Sequence, residues 1–275
     1  MDEFIRRHHA ALEGDIRRGL AQQQFQLYYQ VQVDGRGHTV GAEALLRWPH
    51  PQRGMVPPNE FIHLAEDTGL IIPLGHWVLQ TACTQLRLWS LQAHTRHLTL
   101  AVNVSARQFR QPEFADSVLQ VLQDTGAPAH LLKLELTESL LVNDVEDTIA
   151  KMHALKMHGV GFSLDDFGTG YSSLSYLKRL PLEQLKIDQS FVQDLLSDPN
   201  DAAIARTVIA LGHSLGLAVI AEGVETALHQ EFLALAGCDA YQGYLFGRPM
   251  PVQAFEDGLL SSPRAGTMGA ATSLF

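Results

Sequence analysis

The chain has 275 residues, 46% apolar content and a formal net charge of −10. That length suits one large α/β domain, and the acidity disfavours non-specific attachment to nucleic acid or an anionic membrane, so an anionic substrate needs a local positive centre. No apolar run is long enough for a membrane span, MDEFIRRHHA lacks a signal core, and Cys83 and Cys238 lack metal-motif spacing and read as reduced core thiols of a cytoplasmic protein.

Residues 2–20 carry Phe4, Ile5, Leu12, Ile16 and Leu20 at helical spacing. They read as a lead-in helix or as the end of a linker from an upstream domain. Residues 25–33 alternate and are rich in aromatic and β-branched side chains, which predicts a strand. A turn at 34–37 and a second strand at 39–48 complete a hairpin. Residues 49–58, with four prolines, read as a loop. Helices follow at 60–67 and 73–92, the second with Pro73 at its start.

From there apolar strands alternate with amphipathic helices. Strands are predicted at 98–104, 131–136, 160–164, 184–187, 217–221 and 240–244. Helices are predicted at 112–125, 144–158, near 174–179, at 201–215 and at 226–236. Eight strands with helices between nearly all of them imply a mostly parallel sheet closed as a (β/α)8-type barrel. The initial hairpin departs from that plan, because its strands run antiparallel. The last residues, 261–275, are rich in Ser, Gly, Ala and Thr and read as a flexible tail. The expected division is 1–20 lead-in helix, 21–257 barrel and 258–275 tail.

Barrels of this kind do their chemistry at the carboxyl ends of the strands. Polar residues recur there: Glu43 and Arg47, Asn103, Glu135 with Glu138 beyond, Asp165 and Asp166, Lys186 with Asp188 after it, Glu222, and Gln242. Singly, each has a bland role as helix cap, turn former or ion-pair partner. Their convergence on one rim favours a site. Glu43, Asn103, Glu135, Asp165, Asp166 and Glu222 offer only oxygen donors, which suits Mg2+ or Mn2+. Five carboxylates exceed the charge of one divalent ion, favouring two ions that share Asp165 and clamp the oxygens of a phosphoryl displacement. Lys186 and Arg47 add positive charge for a phosphate. The residues alone point to a two-metal phosphodiesterase or phosphatase.

The motifs GAEALLRW (41–48), NVSARQF (103–109), LELTES (134–139), LDDFGTGYSSL (164–174), LKIDQSFV (185–192), AEGVET (221–226) and QGYLFGRPM (242–250) resemble the EAL-domain cyclic di-GMP phosphodiesterases. The resemblance spans about residues 20–256. It implies a modified TIM (β/α)8-type barrel with an antiparallel first strand. It implies metal ligands at Glu43, Asn103, Glu135, Asp165, Asp166 and Glu222, and a catalytic set of Lys186, Glu222, Gln242 and Glu43. Substrate contacts are expected from Arg47, Gln30, Asp188, Arg248 and Pro249. Glu138 is expected to hold the loop after the paired aspartates, which would then act as a gate setting Asp166. The implied reaction converts cyclic di-GMP to linear pGpG. The alternative is a receptor module that binds the dinucleotide without cleaving it. Relatives of this kind also suggest a homodimer through the barrel and an upstream sensory or cyclase-like domain. Two departures from the family pattern are Val31 after Gln30, in place of proline, and Gly247-Arg248 before Pro249, in place of serine-lysine.

Overall fold

A hairpin starts the barrel. β1 (Gln26–Asp34) and β2 (Thr39–His50) pair antiparallel across a turn. Asp34 Oδ1 closes that turn by accepting from the amides of Arg36 (2.8 Å) and His38 (2.9 Å), and Gly37 takes the left-handed conformation it needs (φ +78°). The structure, a computed structural model, describes residues 2–138, 140, 144–168 and 174–261.

The other elements are α1 (Asp2–Ala21), β3 (Gly54–Val56), α2 (Pro58–Thr68), α3 (Ile71–Ser90), β4 (Thr99–Val104), α4 (Ala106–Phe109), α5 (Phe114–Thr125), β5 (Leu132–Thr137), α6 (Val145–Met157), β6 (Gly161–Phe167), α7 (Leu174–Leu177), β7 (Gln184–Ile187), α8 (Gln189–Gln193), α9 (Pro199–Ser214), β8 (Ala218–Ala221), α10 (Ala227–Leu235), β9 (Ala240–Gln242), β10 (Met250–Pro251) and α11 (Val252–Ser261). The sheet order is β10-β1-β9-β8-β7-β6-β5-β4-β2-β3, and the β1–β2 pairing closes the barrel. β1 is antiparallel to both barrel neighbours, β2 and β9, while the remaining barrel pairs are parallel. This is the modified TIM-type barrel expected from the sequence.

Two apolar cores hold it. The larger lies between the barrel and its helices, where Trp89, Phe109, Phe162 and Leu185 are buried. The smaller joins Leu12 and Ile16 of α1 to Phe25, Trp48, Val56 and Phe61. There Phe25 stacks on Trp48 at 5.0 Å, and Phe61 meets Trp48 edge-on at 5.3 Å. The carboxyl-terminal half of α1 is therefore part of the folded unit rather than a detached lead-in.

The expected loop at 49–58 is replaced in part by β3, which pairs Trp48 with Val56 and extends β2 past the barrel rim. The expected domain boundary at 257 falls inside α11, whose Phe255 is buried against Trp89 (5.2 Å). Residues 262–275 of the expected tail lie outside the described residues. Both cysteines are free and buried. Among the described residues no helix is long and apolar enough to cross a membrane.

Candidate active site

The inside of this barrel is polar. Gln30, Gln32, Glu43, Glu135, Ser163, Gln184, Lys186 and Gln242 are all buried. Register explains which side chains meet. Glu43 of β2 is opposite Gln30 of β1, Asn103 of β4 is opposite Glu135 of β5, and Gln242 of β9 is opposite Gln32. Residues matched across neighbouring strands share a face.

Consecutive strand residues normally point to opposite faces, so Asp165 and Asp166 need an irregularity to reach the same rim. β6 supplies one. Its register with β7 shifts between Leu164 and Phe167, and Asp166 adopts a left-handed backbone (φ +54°) that is uncommon for a residue other than glycine. Asp165 Oδ1 accepts from the Asp166 amide at 2.9 Å. One ligand atom each from Asp165, Asp166 and Glu222 then lies within 4.8 Å of the others.

Lys186 is fully buried at the centre. Its Nζ lies 2.6 Å from Glu222 Oε1, 2.8 Å from Glu135 Oε2, 3.1 Å from Asp165 Oδ2 and 3.7 Å from Glu43 Oε2. Four carboxylates share one ammonium, so negative charge is left uncompensated in a low-dielectric interior. The titration of these groups reflects it. Burial pushes the Glu135 carboxyl well above the ordinary range; Lys186 opposes this, and Glu43, Asp165 and Glu222 add to it. Burial likewise pushes Glu222 up to about 8, against Lys186 and with Asp165 and Glu43. Asp166 rises to about 6 through burial and the charges of Asp165 and Asp188. Burial opposes the Lys186 charge, but Asp165, Glu135, Glu222 and Glu43 more than offset this and raise it well above its usual value.

Glu43 differs. Burial works against its charge too, yet Lys186, Gln242 and Asn103 hold its carboxyl below the ordinary range. Asn103 Nδ2 donates to Glu43 Oε1 at 2.5 Å, and Gln242 Nε2 donates to Glu43 Oε2. Among the described residues Glu135 Oε1 is buried with no hydrogen-bond partner. An oxygen-only donor set, surplus negative charge and an orphaned carboxylate oxygen are what a hard divalent cation would satisfy. The residues present fit such a cation.

The expected site residues meet unevenly. Glu43, Asn103, Glu135, Asp165, Lys186, Glu222 and Gln242 converge. Gln30, Arg47 and Pro249 line a cleft of about 390 Å3 over Glu43, Asp165 and Glu222. Arg47 also donates to the Leu46 carbonyl at 2.9 Å and lies 5.7 Å from the Tyr28 ring centroid. Asp188 caps α8 by accepting from the Ser190 amide at 2.9 Å and bonds to Asp166. Arg248 stacks over the Tyr244 ring at 4.0 Å. Glu138 Oε1 accepts from the Gly168 amide at 2.9 Å, at the start of the loop whose residues 169–173 lie outside the described residues. Reasoning from sequence missed Tyr244, Gln189 and Gln193 at the cleft, and Gln32 beneath it. Gln32 carried a legible signal: a polar residue two positions from Gln30 shares its face.

The profile of the EAL domain matches residues 13–249. This chain belongs to the EAL domain family. It is 48% identical over 241 residues to the bifunctional diguanylate cyclase/cyclic di-GMP phosphodiesterase MucR of Pseudomonas aeruginosa, covering 87% of this chain and 35% of that protein. It is 43% identical over 251 residues to the cyclic di-GMP phosphodiesterase NbdA of the same organism, covering 90% of this chain and 32% of that one. The solved PaMucR phosphodiesterase in complex with c-di-GMP has a TM-score of 0.86 and 47% identity, over 89% of this chain and 99% of that structure. The chain thus spans about a third of the length of these curated relatives.

Proposed function

We propose that this chain is a metal-dependent phosphodiesterase that opens one phosphodiester bond of cyclic di-GMP to give linear pGpG, in bacterial second-messenger signalling. The observation that carries this reading is the cluster of four carboxylates around buried Lys186, with Asp165, Asp166 and Glu222 ligand atoms within 4.8 Å, beneath an open cleft. Near-half identity to proteins named for this activity supports it.

Asp165, Asp166, Glu222, Glu43, Asn103 and Glu135 would hold Mg2+ or Mn2+, with Asp165 central to the set. Such ions, when bound, supply an acidified water and positive charge for the phosphoryl oxygens. Lys186 keeps its proton, because four carboxylates face it, and so holds fixed positive charge where negative charge develops. Gln242 and Asn103 hold both oxygens of Glu43 by donating to them. Arg47 on the cleft wall offers its guanidinium to a substrate phosphate, with Gln30, Pro249, Arg248 and Asp188 as further contacts. Glu138 anchors the Gly168 amide and with it the backbone that follows Asp166.

The greater length of the curated relatives supports reading this domain as one module of a larger regulator with sensory or cyclase-like domains elsewhere; a cytoplasmic location and pairing of barrels into a homodimer are further parts of the proposal. Incubation with cyclic di-GMP and Mg2+, with products resolved by chromatography, tests the activity. Formation of pGpG supports the enzyme reading. Tight binding without product favours the receptor alternative.

A further inference from the structure

Three glutamines form a one-way chain inside the barrel. Gln32 Nε2 donates to Gln242 Oε1 at 2.9 Å. Gln242 Nε2 donates to Gln30 Oε1 at 3.1 Å and to Glu43 Oε2. Gln30 Nε2 donates to the Gly247 carbonyl at 3.1 Å. All three glutamines are at least nine-tenths buried.

An amide can face either way, since it carries both donors and an acceptor. Here both ends of the chain fix the direction. The Gly247 carbonyl and the Glu43 carboxylate can only accept, so Gln30 and Gln242 must turn their NH2 groups toward them. The Gln242 oxygen then faces away from Glu43 and needs a donor of its own. Gln32 provides it. Room for this side chain comes from Gly41, its register partner on β2, where a Cβ would sit 3.3 Å from Gln32 Oε1 and 2.5 Å from Thr99 Oγ1.

We propose that Gln32 is a positioning residue for the cation site: by donating to Gln242 it locks the amide that holds Glu43. This rests on the reading of Glu43 as a metal ligand. Gln32 touches neither substrate nor ligand atoms; it acts through Gln242. Loss of its donor leaves a buried amide oxygen unpaired and frees Gln242 to leave Glu43. An acceptor in its place sets two acceptors against each other, and Gln242 must then break with one side.

The test compares the full chain with Gln32→Met, Gln32→Glu and the control Glu43→Gln. Mn2+ is titrated by calorimetry without substrate, and hydrolysis of cyclic di-GMP is measured across Mn2+ concentration. Gln32→Met is expected to weaken Mn2+ binding by about tenfold, and Gln32→Glu by more. At saturating Mn2+ the KM and kcat of Gln32→Met return to those of the parent, because the defect lies in holding the ligand. A merely structural role lowers the melting temperature without moving the Mn2+ affinity, and that result overturns the inference while leaving the metal reading intact. Unchanged Mn2+ affinity in Glu43→Gln overturns the metal reading and the inference with it. Gln32→Asn, which keeps the amide but falls short by a methylene, replaces either variant that fails to fold and is expected to weaken Mn2+ binding as Gln32→Met does.

Discussion

Replacing Lys186 with methionine removes the ammonium that faces Glu43, Glu135, Asp165 and Glu222. A single pair of unit charges near 4 Å is worth about 4 kcal/mol at an effective dielectric of about 20. Summing such terms over the carboxylates overstates the loss, because some of them respond by taking up protons. Glu135 and Glu222 already titrate high. Breaking a buried ion pair by removing one partner costs about 3–5 kcal/mol, and that is the expected loss in cation-free protein. For a domain of this size it lowers the melting temperature by about 10 °C. The loss should shrink from about pH 8 to about pH 6, since protonation then relieves the stranded carboxylates. Circular dichroism melts of parent and Lys186→Met in chelator, at both pH values, measure it. Equal melting temperatures, or a larger loss at the lower pH, would refute the charge balance described for this barrel.

Cation-free protein should lose stability as pH rises. The folded-state values of Glu222 and Asp166, about 8 and about 6, lie above their ordinary 4.5 and 3.8, so the native state binds protons that the unfolded chain has released. The stability these groups contribute at low pH is therefore lost as pH climbs through those values; melts from about pH 5 to about pH 8 should fall, and added Mn2+ should reverse the trend most at the alkaline end. A flat profile in chelator would contradict this. Glu138→Ala should weaken Mn2+ and cyclic di-GMP binding without lowering the melting temperature by more than about 4 °C, because it frees the Gly168 amide at the end of β6; titration calorimetry reads the affinities. Ile16→Ala should cost about 2–5 kcal/mol in a urea melt, because Ile16 is fully buried in the smaller core. No change there would return α1 to being a dispensable linker.

The barrel was legible because its strands and helices carry different apolar periods, and Gly159 and Gly216, which follow two of the helices, take the positive φ of a helix stop. What escaped was short or hidden by composition. β3 is a three-residue strand, and α4 and α8 are one-turn helices, all too short to show a period. α11 starts directly after Pro249 and Pro251, and its last residues, 258–261, fall in the expected tail, although the helix runs through them. The strand expected at 160–164 stops where the apolar run does, but β6 is longer. It continues to Phe167 because Asp165 faces Lys186. The ligand set was legible because Asn103, Glu135, Asp165, Asp166 and Glu222 fall at or near the carboxyl ends of β4, β5, β6 and β8, the two aspartates sharing β6, while Glu43 lies within β2, which runs on past the barrel rim. Asp188 and Arg248 carried motif signals, but their partners, the α8 amino terminus and the Tyr244 ring, are set by tertiary folding.

The most direct test of the account is product analysis with cyclic di-GMP for the parent chain and for Asp165→Asn, each with Mg2+ and with chelator. The parent should form pGpG with Mg2+ alone and none in chelator, and Asp165→Asn should form none even in excess Mg2+ with its fold intact by circular dichroism. Near-normal turnover by a folded Asp165→Asn protein, or turnover by the parent in chelator, would contradict the account.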